Sequence, residues 1–334
     1  MRGEAVPAPS VPPGLLDAAA LKVRRFSDDE AAVQRIPGWN IQCLQLTSGM
    51  LAGQAVDLHL PSIQVLFEEY RNVSTSHSGS APSGAVIFGV ATGMKGHGIL
   101  NGLPWGNGIS AFDARHELDS VVPPGELISL VVDRHALDDY VWHTEHVDIE
   151  HWLSPGPVVL DDASLAQLLA AHLLAMMTAC QGEAVAAGKP AVWQRLAHDV
   201  LGTLGPLVAQ RLCRRGATKR EQSHVQVVRR AREYVRAHAD EPPQIVDLCQ
   251  ALGVSRRWLQ WSFNEVMGIG PLAYLRILRL NSARRMLLAA TPATKVRDAV
   301  EAYGFWHLSR FSHDYRHHFG ELPSQTLQRA QAHW

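Results

Sequence analysis

A multidomain α+β chain is the fold class this sequence predicts, with a β-rich domain in front, helices in the middle and an all-α domain at the end. Three observations carry that expectation. At 334 residues the chain exceeds the roughly 250 to 300 residues at which a single hydrophobic core stops growing. Its apolar pattern changes from short β-branched runs to helical spacing near residue 160. Its charge is divided, since residues 214–334 hold 19 Lys and Arg against 10 Asp and Glu, whereas residues 1–213 hold 12 against 22. A net +9 segment suits a polyanionic partner, because duplex DNA is bound largely by exchanging its counterions for Lys and Arg.

Residues 1–20, with Pro7, Pro9, Pro12 and Pro13, read as a disordered lead. They lack the apolar centre of a signal peptide. Residues 168–180 are the most apolar run, shorter than the ~20 residues that span a bilayer and interrupted by His172. Cys43, Cys180, Cys213 and Cys249 are scattered without a CxxC pair, which argues against a disulfide framework or a cysteine zinc site. A cytoplasmic protein is therefore expected, nucleoid-associated when bound to DNA.

In residues 21–159, apolar runs at 55–60, 63–67, 85–90 and 127–132 are punctuated by Gly and Pro, the signature of many short strands in a sandwich or barrel. A small barrel also offers an interior for a ligand. In residues 160–213, Leu165, Leu168, Leu169, His172, Leu173, Met176, Met177 and Cys180 share a helical stripe, with Asp161 or Asp162 as N-cap. A second helix follows Lys189-Pro190 with Val192, Trp193, Leu196 and Val200, and a break is expected at Gly205-Pro206. These helices either pack within the chain or pair two subunits into a homodimer. Residues 214–224, RRGATKREQSH, are polar and basic and read as a linker.

The remainder, residues 225–334, contains two units of one kind. A helix-turn-helix needs a short helix, a small residue at the helix crossing, a turn residue able to take positive φ, and an N-cap. Cys249, Gly253 and Ser255 fit these demands in order, and Leu248, Val254, Leu259 and Phe263 supply an apolar wedge. Arg256, Arg257, Gln260 and Trp261 are left on the outer side. The second unit places Gly304 at its turn before a helix from about His307 to Phe319. Its expected core stripe is Phe305, Leu308, Phe311, Tyr315 and Phe319, with His307, Ser309, Arg310, Ser312, His313, Arg316 and His317 on the polar side. Pro271 opens a connecting helix to about Leu288, roughly 27 Å long at 1.5 Å per residue. That length approaches the ~34 Å between successive major-groove faces of B-DNA.

The runs GVSRRWLQWSFNEVMGIGPLAYLRILRLNSARRML and GFWHLSRFSHDYRHHFGELPSQTL resemble the DNA-binding domain of the AraC/XylS family of bacterial regulators. Within it they most resemble the ethanolamine-utilisation branch, by the VSRRxLQ, GIGPLAYL, RLN and GFWHLxxF runs. A weaker likeness reaches Gly38-Trp39, Gln45-Leu46 and residues 63–65. The resemblance implies a cupin-like effector-sensing barrel in front and an activator of a neighbouring catabolic operon that works with RNA polymerase. Its effector would be a small molecule, an amine or amino alcohol. It also implies DNA contacts from Ser255, Arg256, Arg257, Gln260 and Trp261, and from His307, Ser309, Arg310, Ser312 and His313. Arginine often stands in the family where this chain has Trp261 and His313. Arg grips guanine O6/N7 bidentately, whereas Trp offers thymine-methyl contact or stacking, so Trp261 reads equally as a packing residue.

Trp39, Phe67, Phe88, Trp105 and Phe112 are the aromatic candidates for an effector pocket, with Glu68, Glu69 or Asp113 as partners for an amine. His143, His146, Asp148, Glu150 and His151 cluster in sequence but show neither HExxH nor the cupin HxH-plus-Glu spacing, so no metal or cofactor is expected. Residues 102–108 lack the Lys-Ser/Thr of a phosphate loop and read as a turn-rich loop. The competing reading, an enzyme on a cupin-like barrel with an accessory DNA-binding tail, finds no triad, phosphate loop or paired catalytic carboxylates in its favour. A constitutive architectural DNA binder is opposed by the size of the front domain.

Overall fold

Alternation of side chains along the strands organises the front half of the chain. The computed structural model describes residues 22–26, 38–145, 156–179, 190–210, 221–238 and 243–332. One antiparallel sheet has seven strands in the spatial order β1 (Lys22–Phe26), β3 (Gly53–Leu60), β4 (Ile63–Tyr70), β11 (Gly125–Asp133), β6 (Ala85–Thr92), β9 (Gly108–Asp113) and β12 (Val158–Leu160). The other has five, in the order β2 (Asn40–Gln45), β5 (Thr75–Ser80), β10 (Leu118–Val122), β7 (Gly98–Leu100) and β8 (Leu103–Trp105).

The expected closed barrel is corrected here: among the described residues the two sheets form a sandwich, with no strand pairing between them. Face-to-face packing buries their inner side chains without closure. Leu66, Tyr70, Ile87, Phe112 and Leu127 from the large sheet meet Ile41, Leu100, Leu118 and Val122 from the small one. The large sheet is buried on its other face too, where Val65, Phe67, Phe88, Ile109, Ile128 and Leu130 meet a helical layer. Double-sided burial is why residues 85–92 are apolar almost without interruption and buried at every position.

That layer consists of α1 (Arg134–Glu145), α2 (Ala163–Ala179) and α3 (Pro190–Gln210). Asp133 accepts a hydrogen bond from the Ala136 amide at 2.9 Å, and Asp162 accepts one from the Leu165 amide at 3.0 Å, so each carboxylate caps its helix. Several expectations change. Helix α1 lies in the stretch read as β-rich, where no helix was expected, residues 102–108 include strand β8, and α3 continues through Pro206. On α2 the buried stripe is Ala166, Leu169, Ala170, Leu173, Leu174, Met176 and Met177, whereas Leu168 is 71% exposed and His172 is also outside. The sheet is met by the small-residue side of the helix, where Ala166 and Ala170 permit close approach.

Among the described residues seven helices follow: α4 (Glu221–Ala237), α5 (Ile245–Leu252), α6 (Arg256–Met267), α7 (Pro271–Leu288), α8 (Val296–Ala302), α9 (Leu308–Phe319) and α10 (Pro323–Gln331). Helix α4 begins inside the stretch read as a linker, and its His224 is buried, with Nδ1 3.0 Å from Ser262 Oγ and its ring stacked on Trp258 at 4.5 Å. The lead at residues 1–20, Cys180, Cys213, residues 214–220 and the histidine-cluster members His146, Asp148, Glu150 and His151 lie outside the described residues.

The outer face of the small sheet joins the two halves. Leu46, Ile99 and Val121 share a core with Val228, Ala231 and Val235 of α4 and with Leu248, Leu259, Phe263 and Leu275. Within that seam Arg232 pairs with Asp119 at 2.7 Å and donates to Ser76 Oγ. Asn281 of α7 forms a reciprocal pair with the backbone of Gln45, accepting its N–H at 3.0 Å and donating to its carbonyl at 2.9 Å.

Candidate nucleic-acid interface

The first helix pair is assembled by local chemistry. Helix α5 ends at Gly253, which adopts φ 67 and ψ 34, a left-handed conformation that only glycine reaches without a Cβ penalty. Ser255 then opens α6, its Oγ accepting the Trp258 amide at 3.1 Å. Leu248, Leu259 and Phe263 are fully buried between α5, α6 and α4. The 3.6-residue period consequently turns Arg256, Arg257 and Gln260 outward, all exposed.

Gln260 is partly committed: its Nε2 donates to Asn264 Oδ1 at 3.2 Å. A Cβ on Gly270 would lie 2.5 Å from that same nitrogen, so the glycine opening α7 leaves room for it. Trp261 is 45% exposed, with its ring centroid 4.7 Å from that of His224 and 5.3 Å from that of Trp258, both in edge-on geometry. It thus packs on α4 while keeping nearly half its surface outside.

The second pair repeats the plan. Gly304 has φ 67, and α9 starts after His307, whose backbone is extended at φ −134 and ψ 114. Phe311, Tyr315 and Phe319 are buried with Leu280, Leu287, Ala299 and Val300. Leu308, expected in that stripe, is 49% exposed and Trp306 is 92% exposed. The stripe begins one turn later because Phe305, from the turn itself, fills the space and meets Phe311 at 4.8 Å. His307, Ser309, Arg310 and His313 are exposed and Ser312 is half-buried. Trp306 escaped the sequence reading, although its neighbours in GFWHL marked the turn.

Helix α7 links the pairs over 18 residues. Pro271 sits at its first turn, where a missing N–H loses nothing. Arg276 pairs with Asp314 of α9, and Arg284 donates to Glu321 at 2.9 Å while lying over the Phe319 ring. These links hold α9 against α7 and leave Arg310 and Arg316 on the surface.

Residues 248–329 match the family model described as "Helix-turn-helix domain". Over 102 residues the chain is 38% identical to a probable thc operon regulatory protein of Rhodococcus erythropolis, covering 30% of this chain and 31% of the relative. The chain carries a helix-turn-helix domain over residues 248–329. Over 212 residues it is 28% identical to XylDLEGF operon transcriptional activator 1 of Pseudomonas putida, covering 63% of this chain and 59% of the relative. A solved structure of a probable AraC family transcriptional regulator from Rhodopseudomonas palustris is 39% identical, with 32% of this chain and 98% of that one covered and a TM-score of 0.30. The matched stretches span from about a third to three fifths of the curated relatives' own length. These relatives are regulatory proteins rather than enzymes.

The effector candidates separate by strand face. Trp39, Trp105 and Phe112 line a cavity of about 60 Å³ between the sheets, together with Leu66, Glu68 and His77. Phe67 and Phe88 are corrected: each lies one residue from an inward position and packs on the opposite side of the sheet, against the helices. Tyr70, beside the cavity, donates to Glu68 Oε1 at 2.9 Å. Burial lowers the His77 pKa to about 4, so its imidazole is neutral at pH 7. Trp105 Nε1 is buried without a hydrogen-bond partner among the described residues. Glu69 faces away and pairs with Arg71 at 3.0 Å. Burial pushes the Asp113 carboxyl up, but hydrogen bonds from Arg115 and Arg134 outweigh it and hold the pKa below the usual range. Among the described residues no His, Cys, Asp and Glu group could hold a metal ion, and no helix is long and apolar enough to cross a membrane.

Gly253→Val isolates the backbone requirement, because the space around a Cβ there is empty within 4 Å. The expected loss is about 1 to 2 kcal/mol from left-handed strain alone, and Gly304→Val should behave alike for the same geometry. Urea denaturation checks this. An unchanged midpoint for both variants would contradict the turn assignment.

Proposed function

We propose that the chain is a sequence-specific transcription regulator, an activator of the AraC/XylS type that binds promoter DNA and responds to a small-molecule effector. The observation that supports this reading is two short helix pairs, α5 with α6 and α8 with α9, joined by the one helix α7, each presenting exposed polar and basic side chains from its second helix. The roles follow from surface position. Arg256, Arg257 and Gln260 read bases from α6, with Ser255 as cap and Trp261 offering its free edge. From α9, His307, Ser309, Arg310, Ser312 and His313 form the second reading face. The apolar cavity between the sheets, with Glu68 and His77 in its wall, is the candidate effector site. A homodimer, contact with RNA polymerase and control of a neighbouring catabolic operon belong to the same proposal. The resemblance to the ethanolamine-utilisation branch suggests an amine or amino alcohol as effector.

Binding-site selection from random duplexes with the full chain tests the reading. A recovered consensus is expected, and Gln260→Ala should relax it at one or two base pairs, by about 1 to 3 kcal/mol of discrimination. Arg276→Ala, which removes the link to Asp314, should weaken all sequences about equally. If Gln260→Ala keeps every preference and Arg276→Ala changes them, the reading face lies elsewhere.

A further inference from the structure

The two helix pairs end their first helices alike. Gly253 and Gly304 both take φ 67. The residue after each donates its amide to the carbonyl five residues back, Val254 to Cys249 at 3.1 Å and Phe305 to Val300 at 2.9 Å. Both of those side chains turn inward, Val254 against the first core and Phe305 against the second. From there the turns differ. In the first pair Ser255 caps the next helix at once, whereas in the second His307 stands at the cap and Trp306 intervenes. Trp306 is thus a residue that the second turn carries and the first does without. The core makes no use of it, because Phe305 already meets Phe311 and the indole is almost wholly exposed.

Single exposed apolar side chains are ordinary on protein surfaces, but this one has company and a fixed place. Trp306 lines an open groove beside α7 with Val246, Leu272 and Arg256, and Val246 and Leu272 are exposed as well. Arg256 is the first residue of α6, so the groove meets the leading ends of both α6 and α9. The backbone is pinned on either side of Trp306, by the Phe305 amide and by the Phe311 amide, which donates to the His307 carbonyl at 2.9 Å. An indole held out by such a turn has its position set before a partner arrives, which lowers the entropic cost of contact. In helix-turn-helix docking the leading residues of the second helix enter the major groove. There thymine offers a C5-methyl group that apolar side chains contact.

We infer that Trp306 is a specificity-determining residue at the head of α9, its indole covering the methyl group of a thymine in the base pairs that α9 addresses. The inference rests on the DNA-binding reading above and adds to it a side chain that reads by apolar contact. The neighbouring His307, Ser309, Arg310 and His313 offer hydrogen bonds, which separate bases by their donors and acceptors. Trp306 instead favours thymine through its methyl group alone.

The test starts from the duplex that binding-site selection recovers with the full chain. Each thymine in it is replaced in turn by deoxyuridine, which removes only the C5-methyl, and the affinities of the unsubstituted chain and of Trp306→Ala are measured by fluorescence anisotropy. One replacement should weaken the unsubstituted chain by about fourfold, the value of one buried methyl group, and should not weaken Trp306→Ala further. Trp306→Ala should bind the intact duplex more weakly by a similar factor and, put through selection itself, lose the thymine at that position. Trp306→Phe, still apolar and aromatic, should keep the preference. Trp142→Ala, at another exposed tryptophan on α1, should change nothing. All three variants lie on the surface and should fold with unchanged urea midpoints. The inference is overturned if Trp306→Ala keeps the full consensus and affinity, if deoxyuridine costs both proteins equally at every thymine, or if Trp306→Phe loses as much as Trp306→Ala. Loss of transcription from a promoter carrying the site, with DNA binding intact, also overturns it, since the ring is then a protein contact. Each of these outcomes leaves the regulatory reading standing, because a consensus has been recovered. Failure of the unsubstituted chain to select any consensus contradicts that reading itself, and the inference falls with it.

Discussion

Arg232→Ala is expected to lower the unfolding free energy by about 3 kcal/mol, near the lower end of the range for breaking a buried ion pair. The Arg232 side chain is 3% exposed and that of Asp119 8%, with 2.7 Å between them. The contact is close but poorly aligned at Asp119 Oδ1, which counts no hydrogen bond, and the guanidinium donates to Ser76 Oγ instead. Removing the arginine strands a buried carboxylate with Arg236 at 3.5 Å as its remaining cation, which softens the loss. Urea denaturation with an unchanged slope reads the effect. The double variant Arg232→Met with Asp119→Asn, which removes both charges, should lose less than the single one. If the single substitution is neutral, the seam contributes little to holding the sandwich on α4.

Phe263→Ala and Phe311→Ala should each remove about 3 to 5 kcal/mol but disable different halves of the proposed DNA-binding surface. Phe263 is fully buried with Leu248, Leu259 and Tyr274. Phe311 is fully buried in a separate cluster with Leu280, Tyr315 and Phe319. Because α7 contributes to both clusters without merging them, loss of one core should leave the other reading helix in place. Nuclease footprinting on a selected site is expected to show protection shrinking from opposite ends in the two variants. Identical loss across the whole site would mean that the pairs fold and bind as one unit.

The turn and cap residues of the C-terminal domain were legible because each answers a local requirement. Gly253 must reach positive φ, Ser255 must accept an amide, and Pro271 suits the first turn of a helix, so spacing alone located α5, α6 and α7. Face assignment in the sandwich was not legible in the same way. A sheet buried on both sides has no polar alternation, so Phe67 and Leu66, or Phe88 and Ile87, look alike until the second sheet and the helices are in position. The contacts of the seam were hidden for another reason. Arg232 and Ser76 are separated by 156 residues and Gln45 and Asn281 by 236, and no local pattern encodes such pairs. Leu308 shows the limit of periodicity itself, since Phe305 from the preceding turn takes the place that helical spacing reserved for it.

Binding of the full chain to the DNA upstream of its own coding region, compared with random duplex over a range of salt, tests the central claim most directly. The net positive segment and the two exposed helices predict that overall affinity falls steeply as salt rises, with a preference for the specific duplex of roughly 10³-fold or more at moderate salt. Equal affinity for both duplexes at every salt concentration, with the protein folded, would contradict the assignment of α6 and α9 as base-reading helices.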